Sequence, residues 1–263
     1  MTISFIGTGN MGSALAKAVA KKQDSVVLLY DADAARAAAV AKSLGGRTVS
    51  LEETLSADFL FLGVKPQVLP ALAKDLAPLL QKAERRPVLV TMAAGKSMAF
   101  VRSLMGNYPI IRIMPNTPVS VGEGVVLYCG CEVEQKTLDT FAELMSEAGL
   151  VQALPEEKID AASALTGCGP AFVYLFLEAL ADGAVACGLP RDLSTAFAAA
   201  TLKGSAALAL ASGENPGKLK DAVCSPGGTT IEGVRALEEN GFRGAAMDAV
   251  IAAYQRTLEL GKA

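Results

Sequence analysis

The residues near the N-terminus that are best suited to chemistry form a glycine loop, Gly7-Thr8-Gly9-Asn10-Met11-Gly12. The loop fits the pattern G-x-G-x-x-G, and it lies between an apolar run that ends at Ile6 and a helical pattern. Such glycines allow a tight turn, a close approach to a pyrophosphate, and close packing of helix on strand. The free N–H groups at the helix start attract phosphate. Residues 6–12 are therefore predicted to bind a dinucleotide, the alternative being an ordinary glycine-rich turn.

One acidic residue bears on the identity of the dinucleotide. Asp31 ends the second apolar run, 19 residues after Gly12. A carboxylate at this place bonds the ribose 2′-hydroxyl of NAD and repels the 2′-phosphate of NADP. Arg36, one helical turn further, would partly offset that repulsion, and Asp33 is suited to cap the following helix. We therefore expect NAD or NADP as cofactor, and the sequence leaves both open.

Two further segments follow apolar runs and suit the same ligand. They are Gly63-Val64-Lys65-Pro66 and Ala93-Ala94-Gly95. In an open α/β sheet, ligands bind outside the carboxyl ends of the strands. Both segments are therefore predicted to line the nicotinamide half of the dinucleotide, although Lys65 also fits a solvated loop lysine.

Two later segments offer polar groups for a second ligand. Asn116 lies on a strand-end loop stiffened by prolines, where it would contact a ligand or, alternatively, bond its own backbone as a turn asparagine. The segment Ser225-Pro226-Gly227-Gly228-Thr229-Thr230 opens a predicted helix. Glycines, hydroxyls and a helix N-terminus together suit a carboxylate or phosphate. The alternative is a simple N-cap, which would account for one of the three hydroxyl groups in this segment but not readily for all of them. We thus predict ligand contacts at Asn116, Ser225, Gly227, Gly228, Thr229 and Thr230.

Composition excludes several kinds of chemistry. The 263 residues contain no histidine, which rules out Ser-His-Asp triads, Cys-His dyads and His-bearing zinc sites. A net charge of −3 argues against a nucleic-acid partner. The five cysteines follow no disulfide framework, so we expect reduced thiols in a cytoplasmic protein. Cys129-x-Cys131 fits two positions of a strand, and we expect no metal site.

Alternating strands and helices must position the N-terminal segments. Short apolar runs occupy residues 3–6, 26–30, 59–64, 88–92, 110–114 and 125–128. Helical patterns at 11–22, 33–44 and 66–80 separate the first four runs, and a short helix follows Gly95. This alternation is typical of a parallel sheet covered on both faces.

From about residue 156 the pattern changes to helices alone. They are predicted at 157–166, 170–187, 190–212, 216–223, 229–240 and 242–261. The fold class is therefore α/β, with an N-terminal Rossmann-type doubly wound sheet followed by an all-helical domain. We predict a dinucleotide-binding domain over 1–155 and an all-α domain for dimerisation and substrate binding over 156–263.

The helical region is poor in charge. Residues 161–213 contain five charged side chains, and the uncharged stretch 161–177 is broken by Thr166-Gly167-Cys168-Gly169-Pro170. We therefore expect no membrane span, because the stretch is too short and is interrupted. A helix that is apolar all round must instead be buried in a core or against another subunit. Cys168 is expected to be inert in such surroundings.

Taken together, the motifs resemble the pyrroline-5-carboxylate reductase family over nearly the whole chain. The resemblance rests on the segments 6–12, 64–66, 93–95, 114–118, 165–172 and 220–230. The last of these segments is the most specific and the glycine loop the least. Cys168 departs from the serine often seen in the family, and Asp31 departs from the Asn or Ser of members that prefer NADP.

The resemblance implies a reaction and a role for each segment. Reduced NADP or NAD would transfer a hydride to the C=N carbon of 1-pyrroline-5-carboxylate, giving L-proline as the last step of proline biosynthesis. Residues 6–12, 63–66 and 93–95 would hold the dinucleotide. Gly228, Thr229 and Thr230 would offer N–H groups to the substrate carboxylate, and the Thr230 hydroxyl would reach the ring nitrogen as the catalytic group. The helical domain would form a homo-oligomer.

Two other functions fit parts of the pattern. A 3-hydroxyacid dehydrogenase or imine reductase would share the domain order, but it would need a lysine at the active cleft, and no motif here demands one. A non-catalytic dinucleotide sensor would use the helical half for dimerisation alone, and would then have no carboxylate site.

Overall fold

The computed structural model describes the backbone of residues 1–262 and the side chains of residues 1–260. It contains two compact units. The first comprises Met1–Cys168 together with the segment that begins at Ala253, and the second comprises Gly169–Ala252. Residues 156–168 thus lie in the first unit, because the helix they form packs on its sheet. The domain boundary after residue 155 stays a prediction.

The first unit is built on eight strands that form one sheet. They are β1 (Thr2–Ile6), β2 (Val26–Tyr30), β3 (Arg47–Thr48), β4 (Phe59–Leu62), β5 (Val88–Thr91), β6 (Ile110–Pro115), β7 (Gly124–Cys131) and β8 (Gly149–Ala153). The spatial order is β3-β2-β1-β4-β5-β6-β7-β8. Strands β2 and β3 lie on one side of β1 and β4 begins the other side, so the strand order reverses between β1 and β4. This is the switch point where doubly wound sheets bind ligands.

The sheet is parallel except at one pair. β6 and β7 run antiparallel, with Arg112 opposite Cys129, and β8 is again parallel to β7. The predicted parallel sheet is therefore confirmed for the other strand pairs and has one antiparallel pair, since a short 3₁₀ turn over Thr117–Val121 returns the chain directly. The short strand β3 and the strand β8 were missed.

Six helices accompany this sheet. They are α1 (Asn10–Ala20), α2 (Ala34–Leu44), α3 (Leu69–Lys82), α4 (Met98–Met105), α5 (Gln135–Leu144) and α6 (Glu156–Thr166). Alternate residues of each strand point to opposite faces. Phe61 therefore packs with Phe5 and Phe141 on one face, while Leu62 packs with α3 and α4 on the other. The helix α5 was not predicted.

The second unit consists of helices, as predicted. They are α7 (Gly169–Ala186), α8 (Arg191–Ser212), α9 (Pro216–Val223), α10 (Thr229–Glu239) and the first part of α11 (Phe242–Lys262). Helices α7 and α8 pack against each other, and Phe176 contacts Phe242. By length and composition alone, the helical stretches Glu156–Ala186 and Arg191–Ser212 would reach across a membrane, a test that core helices of other proteins also pass.

Candidate functional site

The carboxyl ends of β1 and β4 meet at the switch point, where the glycine loop begins. Gly7 has a φ of +98°, and a Cβ on it would lie 2.7 Å from the Gly63 carbonyl oxygen. Gly63 donates its N–H to the Ile6 carbonyl at 2.7 Å, so two predicted cofactor segments are joined directly. A side chain at either glycine would force these strand ends apart.

The other two loop glycines serve different purposes. A Cβ on Gly12 would lie 2.2 Å from the Gly7 carbonyl oxygen, so Gly12 is needed for packing of α1. Gly9 is the N-cap of α1, and a Cβ there would meet nothing within 4 Å. No side chain caps this helix start. Gly9 therefore leaves an open approach to an uncapped helix N-terminus, which is the geometry that binds a pyrophosphate.

Asp31 lies beside the glycine loop and holds it. Its Oδ2 accepts hydrogen bonds from the Thr8 N–H at 2.7 Å and the Thr8 hydroxyl at 2.9 Å, and its Oδ1 accepts from the Asp33 N–H. Burial raises the pKa of Asp31, but these hydrogen bonds, with a smaller contribution from Arg36, outweigh it and lower the pKa below the ordinary value. Asp33 is the N-cap of α2, and its side chain accepts a hydrogen bond from the Arg36 N–H, as predicted.

The two remaining cofactor segments lie at neighbouring strand ends. Lys65 is exposed, and Lys65 and Pro66 form a turn before α3, which begins at Leu69 rather than at Pro66 as predicted. At the end of β5, the Lys96 N–H bonds the Ala93 carbonyl at 3.2 Å, and Gly95 takes a φ of +70°. This φ is what the third residue of a type II turn requires.

Asn116 is buried and both ends of its amide bond the chain. Oδ1 accepts from the Val125 N–H at 2.8 Å, and Nδ2 donates to the Thr166 carbonyl at 2.9 Å. The amide joins the end of β6 to the end of α6. A substrate contact by Asn116 stays a prediction.

The segment before α10 lies in the second unit and leaves its helix start open. Gly228 is the N-cap and no side chain bonds the first turn, so the N–H groups that begin at Thr229 lack a side-chain cap. Gly227 has a φ of +66°, and a Cβ on Gly228 would lie 2.3 Å from the Ser225 hydroxyl oxygen. Both glycines therefore shape the turn that presents these groups, and Thr230 is half-buried in the first turn.

One buried ion-pair cluster was not predicted from the sequence. Arg112 is 3% exposed in the middle of β6, and it forms ion pairs with Glu156 and Asp160 of α6. The signal was a charged residue inside the apolar run Ile110–Met114, together with two carboxylates spaced four apart at the start of the helix predicted over 157–166. The separations of 44 and 48 residues hid the pairing.

None of the five cysteines, all of which the structure describes, forms a disulfide. All five cysteines are free, and Cys129 and Cys131 lie in β7, as the strand interpretation predicted. Burial, with a further effect from Glu156, raises the pKa of Cys129 to about 11. Among the described residues, no group of three or more His, Cys, Asp and Glu side chains is placed to hold a metal ion.

Comparison with known proteins identifies the family. A profile described as pyrroline-5-carboxylate reductase dimerisation matches residues 156–260, and one described as NADP oxidoreductase coenzyme F420-dependent matches residues 2–95. Pyrroline-5-carboxylate reductase of Pisum sativum is 38% identical over 98% of this chain and 96% of its own length. The chain belongs to the pyrroline-5-carboxylate reductase family.

Solved reductases share the fold over their full length. The Plasmodium falciparum pyrroline carboxylate reductase, solved with NADP bound, has a TM-score of 0.86 and 31% identity, covering 99% of this chain and 98% of its own. The Coxiella burnetii enzyme has a TM-score of 0.90 and 29% identity, covering 98% and 97%. The resemblance, the Rossmann-type fold and the NAD(P)H requirement are therefore confirmed. A reductase of this family is neither a 3-hydroxyacid dehydrogenase nor a non-catalytic sensor.

Proposed function

We propose that this reductase binds NAD(P)H at the switch point of the first unit and the substrate carboxylate at the start of α10. As a member of its family, the enzyme reduces 1-pyrroline-5-carboxylate to L-proline. The observation that carries the cofactor assignment is the uncapped start of α1, where Gly9 leaves room that no neighbouring atom fills. Residues 63–66 and 93–95, at the neighbouring strand ends, would line the nicotinamide.

The bound cofactor supplies the hydride that attacks the C=N carbon. The chain's own part is to bind, orient and exclude water. The N–H groups of Thr229 and Thr230 would hold the substrate carboxylate, because an uncapped helix start favours an anion. The Gly228 N–H, to which the family resemblance gives the same task, donates to the Ser225 carbonyl at 3.0 Å and would have to leave it to bind the substrate. Ser225 and Gly227 shape the turn before these groups.

The Thr230 hydroxyl would hydrogen-bond the ring nitrogen, accepting from its N–H when the imine is protonated and donating to its lone pair when the imine is neutral. A threonine hydroxyl is a poor general acid, since its pKa lies far from neutrality. The imine nitrogen is itself basic and can arrive protonated. We therefore assign Thr230 the task of orienting the ring nitrogen rather than that of supplying its proton.

The test is the reduction of 1-pyrroline-5-carboxylate by the purified chain with NADPH or NADH, followed as dinucleotide oxidation and L-proline formation. We expect turnover with at least one cofactor, and none above background with either would overturn the assignment. Thr230→Val should lower kcat/KM by about tenfold if Thr230 only hydrogen-bonds. A loss of about 100-fold or more would instead indicate proton donation. Thr230→Ser keeps the hydroxyl and is the matched control.

We further propose that the enzyme associates through its second unit and works in the cytoplasm. The helices α7 and α8 expose large apolar side chains, among them Tyr174, Leu175 and Leu210. Such a surface is unusual on a monomer and fits a second copy of the chain. The free thiols agree with a reducing compartment.

A further inference from the structure

Arg112 is the one charged residue among the buried side chains that the structure describes. It lies between Thr91 of β5 and Cys129 of β7 in the register of the sheet. A buried cation is tolerated only when partners compensate its lost hydration. Both partners come from α6, where Glu156 Oε1 lies 3.3 Å from one guanidinium nitrogen and Asp160 Oδ1 lies 2.5 Å from another.

The two carboxylates are alike in most respects. They stand four residues apart on one helix face, and their side chains are 32% and 29% exposed for Glu156 and Asp160. They differ in one contact. Glu156 Oε1 also accepts a hydrogen bond of 2.8 Å from the N–H of Met98, the first residue of α4. Glu156 therefore joins β6 and α6 to the start of α4.

The backbone before Met98 is the loop that leads from the end of β5, residues 92–97. It contains Ala93-Ala94-Gly95, the segment assigned to the nicotinamide. A cavity of about 260 Å³ lies between this loop and the sheet, lined by Gly95, Lys96, Ser97, Phe100, Arg112 and Asp160. The loop is therefore not held by packing against Arg112 or Asp160. Its far end is fixed by the bond from the Met98 N–H to Glu156, together with the Met98 side chain, which is buried in the core.

The helix that carries Glu156 is itself held firmly on β6. Arg112 and Met114 of β6, and Asn116 in the extended backbone just after it, alternate along the chain and so lie on one face. Arg112 binds the first turns of α6, Met114 packs with the fully buried Ile159, and Asn116 bonds the Thr166 carbonyl at the last turn. A helix anchored at both ends is a fixed support for Met98.

We propose that Glu156 is a positioning residue that holds the loop 92–97 in its cofactor-binding conformation by bonding the Met98 N–H, while Arg112 fixes the carboxylate of Glu156. The inference rests on the proposed function, because that function assigns the loop to the nicotinamide. A loop held in its bound conformation binds more tightly, since less ordering is left to occur on binding.

The test compares Glu156→Ala with Asp160→Ala in the full-length enzyme. Three quantities are measured: the Kd of NADPH and NADH by fluorescence, the hydrogen exchange of the Met98 amide, and the Tm. Each variant removes one carboxylate from Arg112, so both should lower the Tm. Only Glu156→Ala should raise the dinucleotide Kd, by about tenfold, and release the Met98 amide. Glu156→Gln keeps the acceptor oxygen and should restore both.

A role in stability alone would lower the Tm of both variants and leave the Kd unchanged or equally raised, which would overturn the proposal. If Glu156→Ala does not fold, Glu156→Asp replaces it, because its shorter side chain keeps the charge and loses the reach to Met98. A wild type that binds NAD(P)H but does not reduce 1-pyrroline-5-carboxylate would overturn the proposed function alone. A wild type that binds neither dinucleotide would overturn both.

Discussion

The two units of this reductase bury their apolar side chains to very different extents. In the first unit, strands and helices enclose continuous clusters around Phe5, Phe61 and Phe141 on one face of the sheet and around Leu62 and Leu76 on the other. In the second unit, the buried residues that the structure describes are Ala181, Ser194 and Ala198. Large apolar residues such as Leu175 and Leu210 are instead exposed there.

This difference shows that one chain is enough to bury the apolar side chains of the first unit but leaves those of the second unit largely exposed. The first unit completes its core and assembles the glycine loop from its own residues. Helices α9 and α10 of the second unit have no buried residue. A helical layer with so little of its apolar area covered gains little from burial, and a second copy of the chain would supply the missing surface.

The largest effect is expected from a charge on the exposed apolar surface of the second unit. Leu175→Glu should dissociate the oligomer, because a carboxylate at an apolar interface is costly to bury. The matched control is Val121→Glu in the first unit, since Val121 is 72% exposed and Leu175 is 70% exposed. Sedimentation velocity should show a smaller species for Leu175→Glu and an unchanged one for Val121→Glu.

Two other results would change the role given to the exposed apolar surface of the second unit. An unchanged oligomer in both Leu175→Glu and Leu210→Glu would show that the apolar surface of the second unit is not the interface. Binding of the wild type to lipid vesicles, lost in Leu175→Glu, would assign that surface to a membrane rather than to a second copy.

The next effect separates packing from binding within the first unit. Gly12→Ala should lower the Tm by several degrees, because its Cβ would overlap the Gly7 carbonyl oxygen. Gly9→Ala should leave the Tm unchanged, since its Cβ meets no atom of the chain. It should nevertheless weaken NAD(P)H binding by at least about tenfold, because the methyl group would lie where we propose that the pyrophosphate approaches. Thermal melts and dinucleotide titrations check both.

A Gly9→Ala enzyme with normal affinity for both dinucleotides would contradict the proposal that the pyrophosphate binds beside Gly9.

Gly228→Ala makes the same test of glycine packing in the second unit. Its Cβ would overlap the Ser225 hydroxyl, which is a side chain that can rotate, so a smaller loss of Tm than in Gly12→Ala is expected.

The smallest effects are expected at Asp31. Asp31→Asn removes a charge that we expect to repel a 2′-phosphate, so the ratio of kcat/KM for NADPH to that for NADH should rise by several-fold. Asp33→Asn, which alters a helix cap two residues away, is the control and should leave the ratio near that of the wild type. An unchanged ratio in Asp31→Asn would show that its carboxylate only holds Thr8.

Asp31 also gives a pH dependence with a definite sign. Its pKa in the folded enzyme lies below the ordinary value of 3.8, so the ionised carboxylate stabilises the fold above that pH. This contribution is lost as pH falls through the lower folded pKa. The free energy of unfolding of the wild type should therefore approach that of Asp31→Asn below about pH 3.8. Denaturant titrations at several pH values measure the difference.

The strand–helix alternation of the first unit was predictable because it is local. Short apolar runs such as Phe59–Leu62 and Val88–Thr91 predict strands from consecutive residues alone. The strand β8 carries a mixed, largely exposed sequence and gave no such signal. The reversal of β7 depends on how tightly the turn over Thr117–Val121 closes, which is set by packing rather than by any periodicity.

The glycine loop, the α/β class and the helical second half were predictable from the order of residues alone, because they follow from residue types and spacings within about one helical turn or one strand. Which glycine is needed for packing and which leaves room depends on the folded chain, since it is set by the Gly7 carbonyl and by the empty space beside Gly9. The tertiary structure also decided that Arg112 meets Glu156 and that Glu156 reaches Met98. Contacts between residues tens of positions apart are set by how the strands and helices pack, and no local pattern contains them.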